Sequence, residues 1–298
     1  MRTWKFRRKV VYRLSLLALV VGAMSSKAPE TRPARFSEAG EDAQGFLVHT
    51  VESPFQAGNT KLRVLLPDEI GKVKPCRVLY VLPVEKLDEH RYGNGLAEVR
   101  KLDLHNRHGL ICVCPTFSHL PWYADHPTDP NIRQESYLLK DVLPFVERTY
   151  PVVRGRRGRL LLGFSKSGWG AWSLLLRNPD AFEKAAAWDA PLTQPKPDRY
   201  GMRGIFATQE NFTRYHIPSL LDRVGPTLGD GKRLGLFGYG GFRAHHESIR
   251  RKLLSLKVPH EYRDGPHRKH HWSGGWVAEA VTFLGESSRD ESDRKKKD

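Results

Sequence analysis

Cysteine is scarce in this chain, with three residues in 298. That excludes a disulfide framework as the source of its stability. Cys112 and Cys114 flank Val113 in an apolar run, so strand alternation puts both on one face, and neighbours placed that way rarely pair. With Cys76 they read as small buried apolar residues. Long apolar runs are also missing. Leu14 to Ala23 spans ten residues, against the ~20 needed to cross a bilayer. No internal repeat exists, which excludes solenoids and propellers. Residues 1–28 lack any acid while carrying Arg2, Lys5, Arg7, Arg8, Lys9, Arg13 and Lys27. A basic start, a short apolar run and a polar continuation form the order of a secretory signal peptide, with small residues near Ala23 to Ala28 as cleavage points. Residues 1–28 are therefore expected to be a signal peptide or an N-terminal anchor, with a secreted or cell-envelope location. Residues 29–43 read as a linker, 44–285 as the folded domain, and 286–298 as a charged disordered tail.

The formal charge is +16, with 49 Lys and Arg against 33 acids. Without the seven basic residues of the N-terminal segment, 42 basic residues face 33 acids, so the remainder carries +9. A basic remainder favours anionic surfaces such as acidic polysaccharide or phospholipid headgroups. No DNA- or RNA-binding motif accompanies the charge, and no nucleic-acid partner is expected.

Periodicity outlines an α/β chain. Gly45 to Val51 and Lys61 to Leu66 read as an antiparallel pair. The apolar runs 76–83, 109–115, 160–163, 184–191 and 233–239 read as buried strands, with a short last strand at Pro259 to Arg263. Helices are expected at 96–106, 134–149, 171–177, 242–256 and 273–284, with 193–231 irregular apart from a short helix at 218–224. Thr116 to Arg133 is a long loop rich in aromatics, proline and histidine, and loops of that length are commonly functional. Alternating strands and helices imply a mainly parallel sheet covered on both faces, with ligands bound beyond the carboxyl ends of the strands.

The most informative stretch is Gly163-Phe164-Ser165-Lys166-Ser167-Gly168. An apolar strand precedes it and a helix-forming segment follows. This is the pattern of a nucleophile elbow, G-x-S-x-G, with Ser167 in place of the last glycine. A serine hydroxyl is a poor nucleophile at neutral pH and needs a base, itself oriented by a carboxylate. The base is expected after the last strand, in a segment offering His267, His270 and His271. His270, just ahead of Trp272 and the last helix, is preferred. Three carboxylates remain open as the acid: Asp189 at the end of strand 184–191, Glu247, and Asp264. Asp189 leads, because the loop after strand 233–239 begins Gly240-Gly241-Phe242-Arg243 with no acid. Backbone N–H groups of Lys166 and of Val84 or Glu85, with Glu85 taken forward, are the expected oxyanion donors. Trp122, Tyr123, Trp169, Trp272 and Trp276 are candidates to line a substrate cleft, with core packing the equal alternative. Neither His267, His270 and His271 nor His245 and His246 come with the Cys or carboxylate spacing of a zinc site. No metal and no cofactor are expected.

From about Val78 to Leu284 the chain resembles the putative-esterase group of the α/β-hydrolases, which includes feruloyl and acetyl-xylan esterases, S-formylglutathione hydrolase and the mycolyltransferases. Glu135-Ser136-Tyr137, Tyr150-Pro151-Val152, Gly163 to Ala171, Arg177-Asn178-Pro179-Asp180-Ala181-Phe182 and His270-His271-Trp272 carry the likeness. The resemblance implies the α/β-hydrolase fold and metal-free ester hydrolysis or acyl transfer by a Ser–His–acid triad, with Ser165 as nucleophile and His270 as base. It also places an acid after the strand ending at Tyr239, where this chain has glycine. The substrate expected is a small-molecule or glycan ester. A non-catalytic protein on the same fold, binding an anionic glycan or an envelope partner, is the second reading.

Overall fold

The computed structural model describes residues 32–70 and 75–286. The expected signal segment 1–28 and, apart from Glu286, the expected tail 286–298 lie outside the described residues. Strands β1 (Arg35–Phe36), β2 (Gly40–Glu41), β3 (Leu47–Glu52), β4 (Thr60–Leu65), β5 (Arg77–Val81), β6 (Leu110–Pro115), β7 (Arg159–Phe164), β8 (Lys184–Trp188), β9 (Leu234–Tyr239) and β10 (His260–His267) form one sheet, ordered β1-β3-β4-β6-β5-β7-β8-β9-β10 with β2 beside β3. From β6 to β10 every pairing is parallel, and the pairings that bring in β1 to β4 are antiparallel. The expected linker 29–43 is thus corrected in part: β1 and β2 fall inside it and pair with β3, so ordered sheet begins at Arg35.

Period-two alternation splits the strand residues between two cores. Val78, Tyr80 and Leu161 face one apolar cluster; Leu79, Val81, Leu160, Leu162 and Phe164 face the other. Apolar residues on both faces demand helices on both. The helices are α1 (Gly95–Lys101), α2 (Leu104–Arg107), α3 (Gln134–Ser136), α4 (Leu143–Thr149), α5 (Ser165–Arg177), α6 (Arg203–Phe206), α7 (Gln209–Tyr215), α8 (Ile217–Val224), α9 (Arg243–Ser255) and α10 (Val277–Gly285). The helix expected over 134–149 is interrupted by a π-helical turn at Tyr137–Val142. The stretch 193–231, read as mostly irregular, holds α6, α7 and α8; Thr208 caps α7 by accepting from the Asn211 N–H.

Thr116 to Arg133 is a loop, but a packed one. Phe117, Trp122, Tyr123 and Ala124 are at most 1% exposed. Asp125 fastens it, accepting from the Ser136 N–H at 2.9 Å and hydroxyl at 2.5 Å. Tyr123 donates its hydroxyl to the Pro83 carbonyl at 2.5 Å, pinning the turn after β5. Of the three free cysteines, Cys112 is fully buried and Cys76 and Cys114 half-buried. Among the described residues no helix is long and apolar enough to cross a membrane.

Candidate active site

Ser165 sits where β7 turns into α5. Its φ is +51°, a left-handed conformation that L residues rarely adopt, as the sharpness of the turn requires. Gly163 makes the turn feasible, since a Cβ there would lie 2.2 Å from the Ser167 carbonyl oxygen. Ser167, the departure from the motif, is buried, and its hydroxyl accepts from the Phe164 N–H at 3.1 Å and donates to the Phe164 carbonyl at 3.0 Å. The substitution therefore ties the turn to the helix instead of straining it.

Ser165 opens into a cavity of about 270 Å³ at the carboxyl ends of the strands, lined by Tyr92, Lys166, Pro191, Tyr200, Gly241, Phe242 and His270. Ser165 Oγ and His270 share this cleft without a hydrogen bond between them. Such contacts are commonly loose until a substrate binds. His270 is held by an aromatic cage, with Phe164, Tyr92 and Phe242 ring centroids 5.0, 5.4 and 5.9 Å from its own. Its Nδ1 lies 2.5 Å from Asp189 Oδ2. A carboxylate accepts there, so in the neutral imidazole the proton sits on Nδ1 and Nε2 keeps its lone pair.

Asp189 follows β8 with φ +40° and is fully buried. Burial alone would raise its pKa. Hydrogen bonds from His270 and from the Phe242, Gly241 and Gly240 N–H groups outweigh burial and hold the carboxyl below the usual range. The Phe242 and Gly241 N–H groups donate at 2.7 and 2.9 Å. Gly240, at the position where the sequence pattern leads one to expect an acid, has no room for a side chain: a Cβ would sit 2.6 Å from Asp189 Oδ2. The space beside Gly240 is occupied by the Asp189 carboxylate. The other two candidates lie elsewhere. Asp264 accepts from Arg243 Nε at 3.1 Å, and Glu247 pairs with the same guanidinium at 3.2 Å.

The remaining histidines have other partners. His271 Nδ1 lies 2.8 Å from the Ser273 hydroxyl, and His245 Nδ1 lies 2.7 Å from that of Thr193. His246 Nε2 accepts from the Ala190 N–H at 2.9 Å, one residue past Asp189. Burial pushes the His246 pKa down to about 4, against the pull of Asp189, which keeps that acceptor unprotonated.

The expected substrate aromatics are corrected. Trp122, Tyr123, Trp169, Trp272 and Trp276 are at most 2% exposed and none lines the cleft. Trp122 packs edge-on against Trp169 at 5.5 Å, and Trp272 meets Phe164 at 5.1 Å and Trp276 at 5.2 Å. Rings this large contribute most when fully removed from water. Tyr92, Tyr200 and Phe242, missed in the sequence, take the cleft instead. Of the expected oxyanion donors, Lys166 lines the cleft, while Glu85 lines a neighbouring crevice with Pro83, Val84 and Gly93. A larger cavity of about 770 Å³ lies among Pro67, Arg77, Asn106 and His108, at the starts of β5 and β6, far along the sheet from Ser165. Its size does not outweigh its position, since ligands of parallel sheets bind at the opposite ends of the strands.

The sheet order, the strained serine between β7 and α5, and the cleft above them define an α/β-hydrolase fold. The chain belongs to the putative-esterase family, whose model matches residues 56–222. Its fold is similar to that of an S-formylglutathione hydrolase from Staphylococcus aureus, at 19% identity and TM-score 0.65, covering 84% of this chain and 100% of that one. An S-formylglutathione hydrolase from Agrobacterium tumefaciens is similar at 16% identity and TM-score 0.62, covering 84% and 95%. A ferulic acid esterase from Anaeromyces mucronatus, solved with ferulic acid, is similar at 16% identity and TM-score 0.53, covering 88% and 94%. No curated protein matches the sequence significantly.

Proposed function

We propose that this esterase-family protein hydrolyses a carboxylic ester with Ser165 as nucleophile, His270 as general base and Asp189 as the orienting acid. The observation that carries the reading is the 2.5 Å contact of His270 Nδ1 with buried Asp189, on an imidazole that shares a cleft with Ser165. Ser165 Oγ attacks the acyl carbon as His270 Nε2 takes its proton. The N–H groups of Lys166 and Glu85 stabilise the tetrahedral oxyanion. His270 then protonates the departing alcohol, leaving an acyl-serine. A water, deprotonated by His270, attacks that acyl group and regenerates Ser165. Asp189 stabilises the imidazolium in both halves without taking its proton. Tyr92, Tyr200 and Phe242 give the cleft apolar walls suited to an aryl acyl group or a sugar face. The charge order of residues 1–28 supports export to the envelope or beyond.

A binding-only role drew its support from the missing acid after β9, and Asp189 beside His270 removes that support. The test is Ser165→Ala. It should abolish hydrolysis of 4-nitrophenyl acetate and labelling by a fluorophosphonate while the protein stays folded. Wild-type turnover in the variant, or folded wild-type protein that neither hydrolyses nor labels, sinks the reading.

A further inference from the structure

Among the described residues, Lys166 is the only Lys, Arg, Asp or Glu side chain lining the cleft, and it is half-buried there. Among the described residues its ammonium has no hydrogen bond or ion pair. Its one close partner is the Tyr92 ring, with Nζ 5.9 Å from the centroid. The same ring has the Arg91 guanidinium carbon at 5.3 Å, so two cations flank one cleft aromatic. Glu85 is the carboxylate that attracts Lys166, but it lies beyond ion-pair range and accepts the Arg91 N–H at 2.5 Å. Burial lowers the Lys166 pKa, with Arg91 adding to the effect and Glu85 opposing it. Lys166 also stands in the first turn of the 13-residue α5, where the helix dipole adds positive potential. A partly desolvated cation without a counter-ion is an unfavourable arrangement unless something anionic completes it.

Resting on the esterase reading of this cleft, we infer that the protein recognises an ester carrying a negative charge, which pairs with the Lys166 ammonium while the scissile carbonyl meets Ser165. The apolar walls hold the uncharged part. The excess positive charge of the chain, +9 without residues 1–28, draws such substrates toward the mouth. The chemistry does not depend on which side of the ester carries the charge, so both sides are probed.

Two matched pairs of esters separate them. 4-Nitrophenyl hemisuccinate and its methyl ester differ in charge on the acyl side; 4-acetoxybenzoate and its methyl ester differ on the alcohol side. In at least one pair kcat/KM should favour the anion by about ten-fold or more, the worth of one charge-assisted hydrogen bond. Lys166→Met should collapse that ratio, and Lys166→Arg should restore it. A preference for the neutral member in both pairs, or a ratio unchanged in Lys166→Met, overturns the inference. Binding is read separately by calorimetry on the Ser165→Ala protein with 4-nitrophenyl hemisuccinate, its methyl ester as control. Tighter binding of the anion, weakened about ten-fold by adding Lys166→Met, supports charge recognition even if no ester turns over. That combination would remove the hydrolytic reading alone. Equal binding of anion and methyl ester overturns the inference.

Discussion

A side chain at position 240 and the Asp189 carboxylate compete for one space. Gly240 yields it, and its N–H, with those of Gly241 and Phe242, holds the carboxylate that His270 meets. Gly240→Ala should therefore push Asp189 away from the imidazole, lowering kcat on 4-nitrophenyl acetate about ten- to a hundred-fold. Circular dichroism should show the fold intact; unchanged kcat would mean that the Asp189 position does not matter. Ser165 and His270 were legible because each is tied to chain order, one to an elbow between strand and helix, the other to the segment before the last helix. Asp189 was only half legible. Its sequence neighbourhood, Trp188-Asp189-Ala190-Pro191, reads as an ordinary turn, and the signal that singles it out is the glycine 51 residues later. Tyr92, Tyr200 and Phe242 left no signal at all, because each comes from a loop whose path depends on tertiary packing.

Elements show where local pattern gives way to packing. The 116–133 loop reads as a binding loop because it is aromatic and long, yet its rings fill the space beside α5, and the polar Asp125 and Gln134 serve as fasteners. Gln134 Oε1 accepts from the Trp122 and Tyr123 N–H groups, both at 2.8 Å. Asp125→Ala strips the Ser136 hydroxyl and N–H of their acceptor. It should cost about 1–3 kcal/mol and open the loop to proteases, measurable by thermal melting and limited proteolysis. Equal resistance in the variant would mean that the buried rings alone hold the loop. Helices α6 and α7 escaped sequence reading because they are four and seven residues long, too short for a periodic pattern, whereas α8 matches the short helix expected at 218–224. The Thr208 cap was the visible hint.

The whole molecule was the most legible level. Its parallel sheet follows from apolar runs with no polar face, which only a two-sided core accommodates. The boundary near residue 43 was misplaced because β1 and β2 are two-residue strands with polar composition. Acid stability is a property of this same level. Burial holds His105, His108, His216, His245 and His246 below the usual histidine range, the last at about 4. Held neutral, they bind fewer protons folded than unfolded. Their stability contribution is full above the unfolded value near 6.5 and is lost as pH falls toward the folded values. Tm should drop by several degrees between pH 7 and pH 5; a Tm that is level or higher at pH 5 contradicts this. In the proposed triad Asp189, not an acid after β9, orients His270. The direct measurement is kcat on 4-nitrophenyl acetate for Asp189→Asn beside Glu247→Gln and Asp264→Asn. Asp189→Asn should fall by about 10³-fold or more while the other two stay within about three-fold of wild type; near wild-type turnover in Asp189→Asn, or a larger loss in either of the others, would contradict it.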